Sequence, residues 1–540
     1  MLDLPELLER VFQLLNPHDL TRCAQVNKQW HALVIPHLWR DLTCVCSGDA
    51  RRRVFGRIVL EDYLQENGYV KGPSQPTALS KYGHLIRLLP GPMDLESALH
   101  SQGFHRQCTA HDLLLHIFKR SSKAQVNSLH HKLVEFESDK SKSVLAFTLP
   151  RLRRLNIRGS LQGHPWLFNF KSVLDQCSTT LECLDVDIDI PPSDQAIDMK
   201  DEATGNESVG WTSLKNLILR HSADTWDAGP FWTWMCKRCS QVESLVVRRI
   251  NKSTPGLVQA MLTHMPNLRG IAMGDFNISE FFRNREDEME DDVIAALLSG
   301  SRHGWKSVSV KTTAKLGPKS VNALAMHYST LEEFYIDGNN DVPSSDLVQI
   351  LRSCPHLHTF CYTNMTNGSS AVYGEAFIDL DPDTGLLMPW LCEGSLKMLD
   401  IKIAGIQRPD LDMCALVEAY PGQGREIQSQ LYDRLGRLTH LETLRLGDGF
   451  GGSQYDCLEM SLESGLDKLS GLKSLKKLNV GRLETKIGIN EVQWMVENWP
   501  ELSIVGGLGV HRWDMEAVEW LRKNCPKISV MRKLYCSYSM

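Results

Sequence analysis

The chain has no uninterrupted apolar run of the roughly 18 residues that a membrane-spanning helix requires, so no span is expected. It also has no excess of basic charge, since 59 Lys and Arg stand against 65 Asp and Glu for a formal net charge of -6. Affinity for phosphate backbones draws on clustered cations, so general nucleic-acid binding is not expected. Nor is there a dense cysteine framework. Fifteen cysteines scattered through 540 residues, an odd number, fit the reduced thiols of an intracellular chain. Apolar helix patterning begins at Leu4 and leaves no space for a secretory leader, so a cytoplasmic or nuclear location is expected.

The signatures of catalysis are missing as well. Glycines cluster at Gly447 to Gly452 and at Gly506 to Gly509, but neither cluster has the G-x-x-x-x-G-K pattern of a phosphate loop, and both read as turns after strands. No G-x-S-x-G elbow, H-E-x-x-H helix or kinase signature occurs. One C-x-x-C, Cys236 to Cys239, has no second pair at zinc-ribbon spacing, and Cys44 and Cys46 do not supply one. Cys239 stands just before the strand candidate at Val242, as Cys177 does before Leu181, which is a buried structural position. No catalytic residue, metal or cofactor is expected, and an enzyme would need an active site of unrecognised type.

What is present is ordinary globular material, 42% hydrophobic and 23% charged, enough for a large core. At the N-terminus, Pro5 to Leu15 reads as a helix with proline in its first turn. Leu4, Leu7, Leu8, Val11, Phe12, Leu14 and Leu15 cover an arc of roughly 160° at about 100° per residue, wider than one neighbouring helix needs. Asn16 to His18 break the pattern. Asp19 is expected to cap a second helix with Leu20, Cys23, Ala24 and Val26, and Asn27 to lead into a third with Trp30, Leu33 and Val34 that Pro36 ends. A unit of about forty residues rarely supports its own core, so the surplus apolar surface points to a partner or to the adjoining domain.

The same residues carry a family resemblance. Leu4, Pro5 and Glu6, then Leu8, Val11 and Phe12, the turn at Pro17 and Asp19, then Leu20, Val26 and Trp30, and the closing Leu38-Trp39-Arg40 resemble an F-box. The resemblance implies docking on the Skp-type adaptor of a cullin-RING ubiquitin ligase of the SCF type, with a cullin scaffold as further partner and with Leu4, Pro5, Leu8, Val11, Phe12 and Leu20 facing the adaptor. Trp30, Leu33 and Trp39 are expected in the core.

Beyond it, an L-x-x-L-x-L strand pattern recurs at Leu152, Leu181, Leu214, Val242, Leu268, Trp305, Leu331, Leu357, Leu396, Leu441, Leu475 and Leu502. Its spacing of roughly 26 to 45 residues lies near the leucine-rich-repeat period. Helical stretches fall between, at Val258 to Met265, Val293 to Leu298, Leu347 to Cys354 and Val492 to Trp499. Pro266, Pro355 and Pro500 mark the handover to the next strand. The expected fold class is α/β: a helical F-box over 1–42, a helical linker over 43–150 with degenerate first repeats at His84 and His130, and a leucine-rich-repeat solenoid over 151–540 with strands on the concave side and helices on the convex side. The arrangement resembles fungal F-box and leucine-rich-repeat proteins.

Long loops are expected at Pro191 to Val209, Arg283 to Asp292, Asn364 to Pro389 and Gln407 to Gln430. The acidic run from Arg285 reads as a solvated lead into the helix at Val293, its acids favouring that N-terminus. With the leucines inward, Arg154, Arg158, Arg220, Arg248 and Lys311 fall on the concave face, followed by Glu333, Tyr335 and Asp337. That basic stripe is a candidate client-binding site for an acidic or phosphorylated peptide, weighed against ordinary solubilising charge. The resemblance implies a non-catalytic substrate-recognition subunit with an unknown client protein; the alternative is an F-box and repeat scaffold without a ligase role.

Overall fold

The computed structural model describes residues 11–12, 15, 17–40, 62–63, 88–89, 128–132, 153–160, 174, 177–189, 210–220, 229–247, 255–274, 290–311, 314, 316–337, 342–363, 371–406, 423–447, 458–481, 483, 487–508 and 514–531. Two compact units divide the chain, residues 1–246 with 259–265 and residues 247–258 with 266–540.

In the first unit, the N-terminal segment forms helices Pro17–Cys23 and Lys28–Arg40. Pro17 opens the first helix, and Asp19 sits inside its first turn, where a carboxylate favours the positive helix end. Asn27 caps the second, its Oδ1 accepting the Trp30 N–H at 2.8 Å. The expectation that Pro36 ends this helix is overturned, for the helix continues to Arg40 with Pro36 inside it. Proline removes one backbone N–H and crowds the preceding turn, but Val34 before it and Leu38 after it both pack on the same apolar cluster. That burial holds the last turn in place.

The repeats follow from three sequence features acting together. Alternate burial comes first: Leu331, Phe334 and Ile336 in one repeat, and Leu441, Leu444 and Leu446 in another, are each at most 1% exposed. Burying each such side chain contributes on the order of 1.5–3 kcal/mol. A turn before each strand comes second. The first apolar residue of the strand donates its N–H to the carbonyl of a buried residue three or four places earlier: Leu181 to Cys177, Val242 to Cys239, Leu357 to Cys354, Leu396 to Cys392, Leu502 to Trp499 and Ile528 to Cys525. These bonds satisfy a carbonyl left over at or beyond a helix end. Proline comes third, since helices Pro255–His264, Ser344–Ser353 and Asn498-ending Ile489–Asn498 all stop within two residues of Pro266, Pro355 and Pro500.

Strands of the first unit are Leu88–Leu89, Ser128–Lys132, Arg154–Ser160, Cys183–Asp189, Asn216–Arg220 and Ser244–Val247, paired in chain order. Those of the second are Gly270–Met273, Ser307–Val310, Glu333–Asp337, Thr359–Thr363, Met398–Ile401, Thr443–Arg445, Lys477–Asn479, Ile504–Gly506 and Ser529–Met531, all parallel. Parallel pairing needs crossover connections, supplied by helices such as Asp291–Ser299, Pro318–Ala325, Ser344–Ser353 and Gln423–Gly436. The last repeat, helix Asp514–Asn524 and strand Ser529–Met531, extends the pattern beyond Leu502. Its signal was legible as Cys525-Pro526-Lys527-Ile528, the same turn as Cys354 to Leu357. The chain is thus α/β, a helical N-terminal unit followed by leucine-rich repeats.

Gly447 and Gly507, the described members of the two glycine clusters that follow strands, bring backbones together, and residues 448–452 and 509 lie outside the described residues. A Cβ at Gly447 would lie 1.8 Å from the Gly481 carbonyl oxygen, and Gly507, at φ +88°, approaches the Gly481 nitrogen as closely as 2.3 Å from its would-be Cβ. Only glycine fits that stack.

Candidate functional site

The core of the N-terminal unit is Phe12, Leu20 and Val34, which are 1%, 6% and 0% exposed. Trp30 meets Phe12 edge to face with ring centroids 5.5 Å apart, a favoured aromatic geometry. Leu15, Cys23, Ala24, Leu33 and Leu38 surround them. Of the residues expected to face the adaptor, Leu4, Pro5 and Leu8 lie outside the described residues. Val11 is at the surface, 44% exposed. Phe12 and Leu20 are interior in the free chain, because a three-helix segment this short uses its largest side chains for its own core. Val26, counted by its periodicity among the buried residues of the second helix, stands beyond the helix end and is 61% exposed.

On the strands, Arg154 is exposed. Arg158 and Arg220 occupy one row of the parallel sheet, and the register inserts an acid between them: Lys132 pairs with Arg158, Arg158 with Asp187, and Asp187 with Arg220. The row is therefore of mixed sign. Arg248 lies outside the described residues, and Lys311, in the second unit, is half-buried at a strand end, its N–H bonded to the Met273 carbonyl at 2.8 Å. Of the five cations, the strand register places Arg158 and Arg220 in one row of the first unit.

In the second unit the row two residues earlier in each motif runs Ala272, Ser309, Tyr335, Cys361, Asp400, Arg445, Asn479 and Gly506. Arg445 and Asp400 form an ion pair at 3.2 Å with side chains only 13% and 5% exposed. Glu333 accepts a hydrogen bond from the Ser307 hydroxyl at 3.0 Å. Burial, with Glu333 and Cys361 nearby, pushes the Tyr335 hydroxyl up to about 12. Asp337, expected at the surface beside it, is 7% exposed. Much of this row is engaged within the protein.

A second charged row borders the sheet at the residue after the first leucine of each motif. Arg153 pairs with Glu182 at 3.3 Å and Lys215 with Glu243 at 3.5 Å in the first unit. Lys306 pairs with Glu332 at 2.6 Å and Lys476 with Glu442 at 2.9 Å in the second. These opposite signs stand in the sequence at a fixed offset from the motifs, with Arg269 beside Lys306 as an exception, yet unequal repeat lengths conceal them until the strands are aligned.

Of the segment read as a loop from Asn364 to Pro389, residues 371–389 are described, and they hold regular elements. Strand Val372–Tyr373 pairs with Ile403–Ala404, helix Gly374–Ile378 follows, and Leu380 bridges Leu387 in an antiparallel turn. The expected loop from Gln407 likewise gives way at Gln423 to the helix Gln423–Gly436. One side chain from that helix ties the two together. Arg434, 0% exposed, donates to the carbonyls of Ile378, Asp379 and Met388 and to Glu393 Oε1 at 3.0 Å. Its guanidinium also lies 4.5 Å from the Trp390 ring centroid. The Trp390 indole N–H in turn donates to Asp379 Oδ2 at 3.2 Å. No local pattern foretells a contact that spans more than forty residues.

Among the described residues, no group of His, Cys, Asp and Glu is arranged to hold a metal ion. The repeat cysteines are poor nucleophiles. Burial pushes the Cys177 thiol up to about 11 and those of Cys236 and Cys392 to about 12, which keeps them protonated. No described helix is long and apolar enough to cross a membrane.

Comparison with known proteins adds three findings. No curated protein matches the chain. Among solved structures, an internalin (InlF) from Listeria monocytogenes is similar at 11% identity and a TM-score of 0.31, covering 83% of this chain and 99% of its own. A chain of the yeast Rad7 and Elc1 complex is similar at 13% identity and a TM-score of 0.29, covering 59% of this chain and 80% of its own. Residues 2–45, which include the Phe12, Leu20 and Val34 core, match the F-box-like family, so the chain carries an F-box-like domain at its N-terminus.

Proposed function

We propose that this chain is the substrate-recognition subunit of an SCF-type cullin-RING ubiquitin ligase, docking on a Skp-type adaptor by its N-terminal unit and holding a client protein on its repeats. The observation that carries this is the F-box-like match over residues 2–45. Exposed apolar side chains on the same unit support it, for Val11 and Val26 remain at the surface of a small domain that already has a core. In this proposal Leu4, Pro5, Leu8, Val11 and Val26 meet the adaptor, while Phe12 and Leu20 act from beneath by holding the helices in place. The subunit is non-catalytic, and the ligase setting implies a cytoplasmic or nuclear location.

For the client, the row Lys132, Arg158, Asp187 and Arg220 with the exposed Arg154 favours a segment that offers both signs of charge over a purely acidic or phosphorylated one. Arg248 and Lys311 remain candidate contacts for the same client.

Size-exclusion chromatography of the full chain with a purified cullin, with and without the Skp-type adaptor, tests the assembly. Co-elution with the cullin only when the adaptor is present supports the proposal. Failure to co-elute under either condition, or co-elution that ignores the adaptor, would overturn it.

A further inference from the structure

Half of the large apolar side chains exposed among the described residues fall in one short stretch: Tyr373, Leu380, Leu386 and Leu391 are 64%, 40%, 69% and 61% exposed. Scattered surface leucines need no explanation, but a cluster does.

The stretch is also built to keep its shape. Asp381, Pro382, Asp383, Thr384 and Gly385 form a tight turn, with Asp381 Oδ1 accepting the N–H groups of Asp383 at 2.8 Å and Thr384 at 3.0 Å and with Gly385 at φ +68°. The Gly385 N–H bonds the Asp381 carbonyl at 2.8 Å, and the Asp381 N–H bonds the Leu386 carbonyl at 2.8 Å. Arg434 fastens both ends from below through the carbonyls of Ile378, Asp379 and Met388. A surface fixed before binding loses little freedom on binding.

Its charge is mainly acidic. Glu375 and Asp383 are exposed, and the N–H groups of Thr384 and Asp383 hold the Asp381 carboxyl below the usual range. Of the neighbouring cations, Arg434 is buried, Arg352 is turned to Asp379 at 3.7 Å, and Arg437 stands at the edge of the turn and donates to its Leu387 carbonyl at 3.3 Å.

We propose that the turn Leu380–Leu387, with Leu391, is a docking surface for a partner protein segment that presents apolar side chains flanked by Lys or Arg. Leu380 and Leu386 supply apolar contact, and Glu375, Asp381 and Asp383 select basic flanks. This surface does not depend on the ligase proposal, because it lies in the second unit and involves none of the N-terminal residues.

Fluorescence anisotropy of the full chain with two labelled helical peptides tests it, one with leucines flanked by lysines and one with the same leucines flanked by glutamates. The lysine peptide is expected to bind at least tenfold more tightly, and Leu386→Asp to weaken it at least tenfold without moving the melting midpoint. Met326→Asp, at an exposed apolar residue elsewhere in the unit, is expected to change nothing. No binding of either peptide, equal binding of both, or retention by Leu386→Asp would overturn the proposal. So would self-association of the parent chain that Leu386→Asp abolishes, since a second copy would then be the occupant.

Discussion

Asp291 and Ser320 are joined across consecutive repeats: Asp291 Oδ1 accepts the Ser320 N–H at 3.0 Å, and the Ser320 hydroxyl contacts both the Asp291 carbonyl and its carboxylate. The same carboxylate accepts the N–H groups of Gly317 at 2.9 Å and Lys319 at 3.0 Å. Asp291 thus caps the helix that follows its own. Its removal by Asp291→Ala is expected to destabilise the second unit by about 1–2 kcal/mol, as for loss of a capping side chain, measured by urea unfolding. Gly317→Ala is expected to do similar harm, because its Cβ would lie 2.7 Å from the Asp291 carboxyl carbon.

The cap should also fail in acid. Burial alone would raise the Asp291 pKa, but the hydrogen bonds from Ser320, Lys319 and Gly317 outweigh it and lower the group below its ordinary value. A lowered folded-state pKa gives stability that is complete above the unfolded value of about 4 and is lost as pH falls through the folded one. The stability difference between the parent and Asp291→Ala should therefore be constant near neutral pH and shrink below about pH 4. A difference that grows on acidification would show the sign to be wrong.

Arg434→Met should be far more damaging than its size suggests. Four acceptors, the carbonyls of Ile378, Asp379 and Met388 and the Glu393 carboxylate, lose their donor at once. Breaking a buried, hydrogen-bonded charge typically costs about 3–5 kcal/mol. Hydrogen exchange should show faster exchange at Asp381 and Gly385 in the variant, with the Lys477–Asn479 strand less affected.

The strands were legible because a two-residue period and a buried turn residue recur along the chain, joined at Pro266, Pro355, Pro500 and Pro526 by a proline that ends the preceding helix. Leu357 is typical, with Cys354 and Pro355 before it and Phe360 after it. The fate of Pro36 was not legible, since whether a helix survives a proline depends on what its last turn packs against. Nor was the placement of Asp291, whose local sequence argues only for its own helix. The mixed sign of the strand row was not legible for a different reason. Arg158 and Arg220 were read strand by strand, and Asp187 between them emerges only from the register. At the N-terminus a helical face cannot tell Phe12, which fills the core, from Val11, which does not.

The alternating row beside the sheet should matter at low salt alone. Lys476→Glu sets a third carboxylate beside Glu442 and Glu501, the two acids that Lys476 contacts at 2.9 and 3.8 Å. Its melting midpoint is expected to fall in dilute buffer and to recover toward the parent value near 1 M salt, where screening acts within about 3 Å. Adding Glu442→Lys should restore most of the loss. An undiminished deficit at high salt would mean that packing is at fault.

The N-terminal assignment separates into two roles that mutation can distinguish. Phe12→Ala is expected to cost its unit about 3–5 kcal/mol by leaving a cavity against Trp30 and Val34. Val11→Asp is expected to leave folding unchanged, because Val11 is 44% exposed.

Titration of a purified Skp-type adaptor into the full chain, compared with Val11→Asp and Leu8→Asp after both variants are shown to melt like the parent, tests the assignment most directly. Binding by the parent and its loss by at least tenfold in the folded variants is the expected result. A folded parent chain that does not bind the adaptor, or variants that bind as well as the parent, would contradict it.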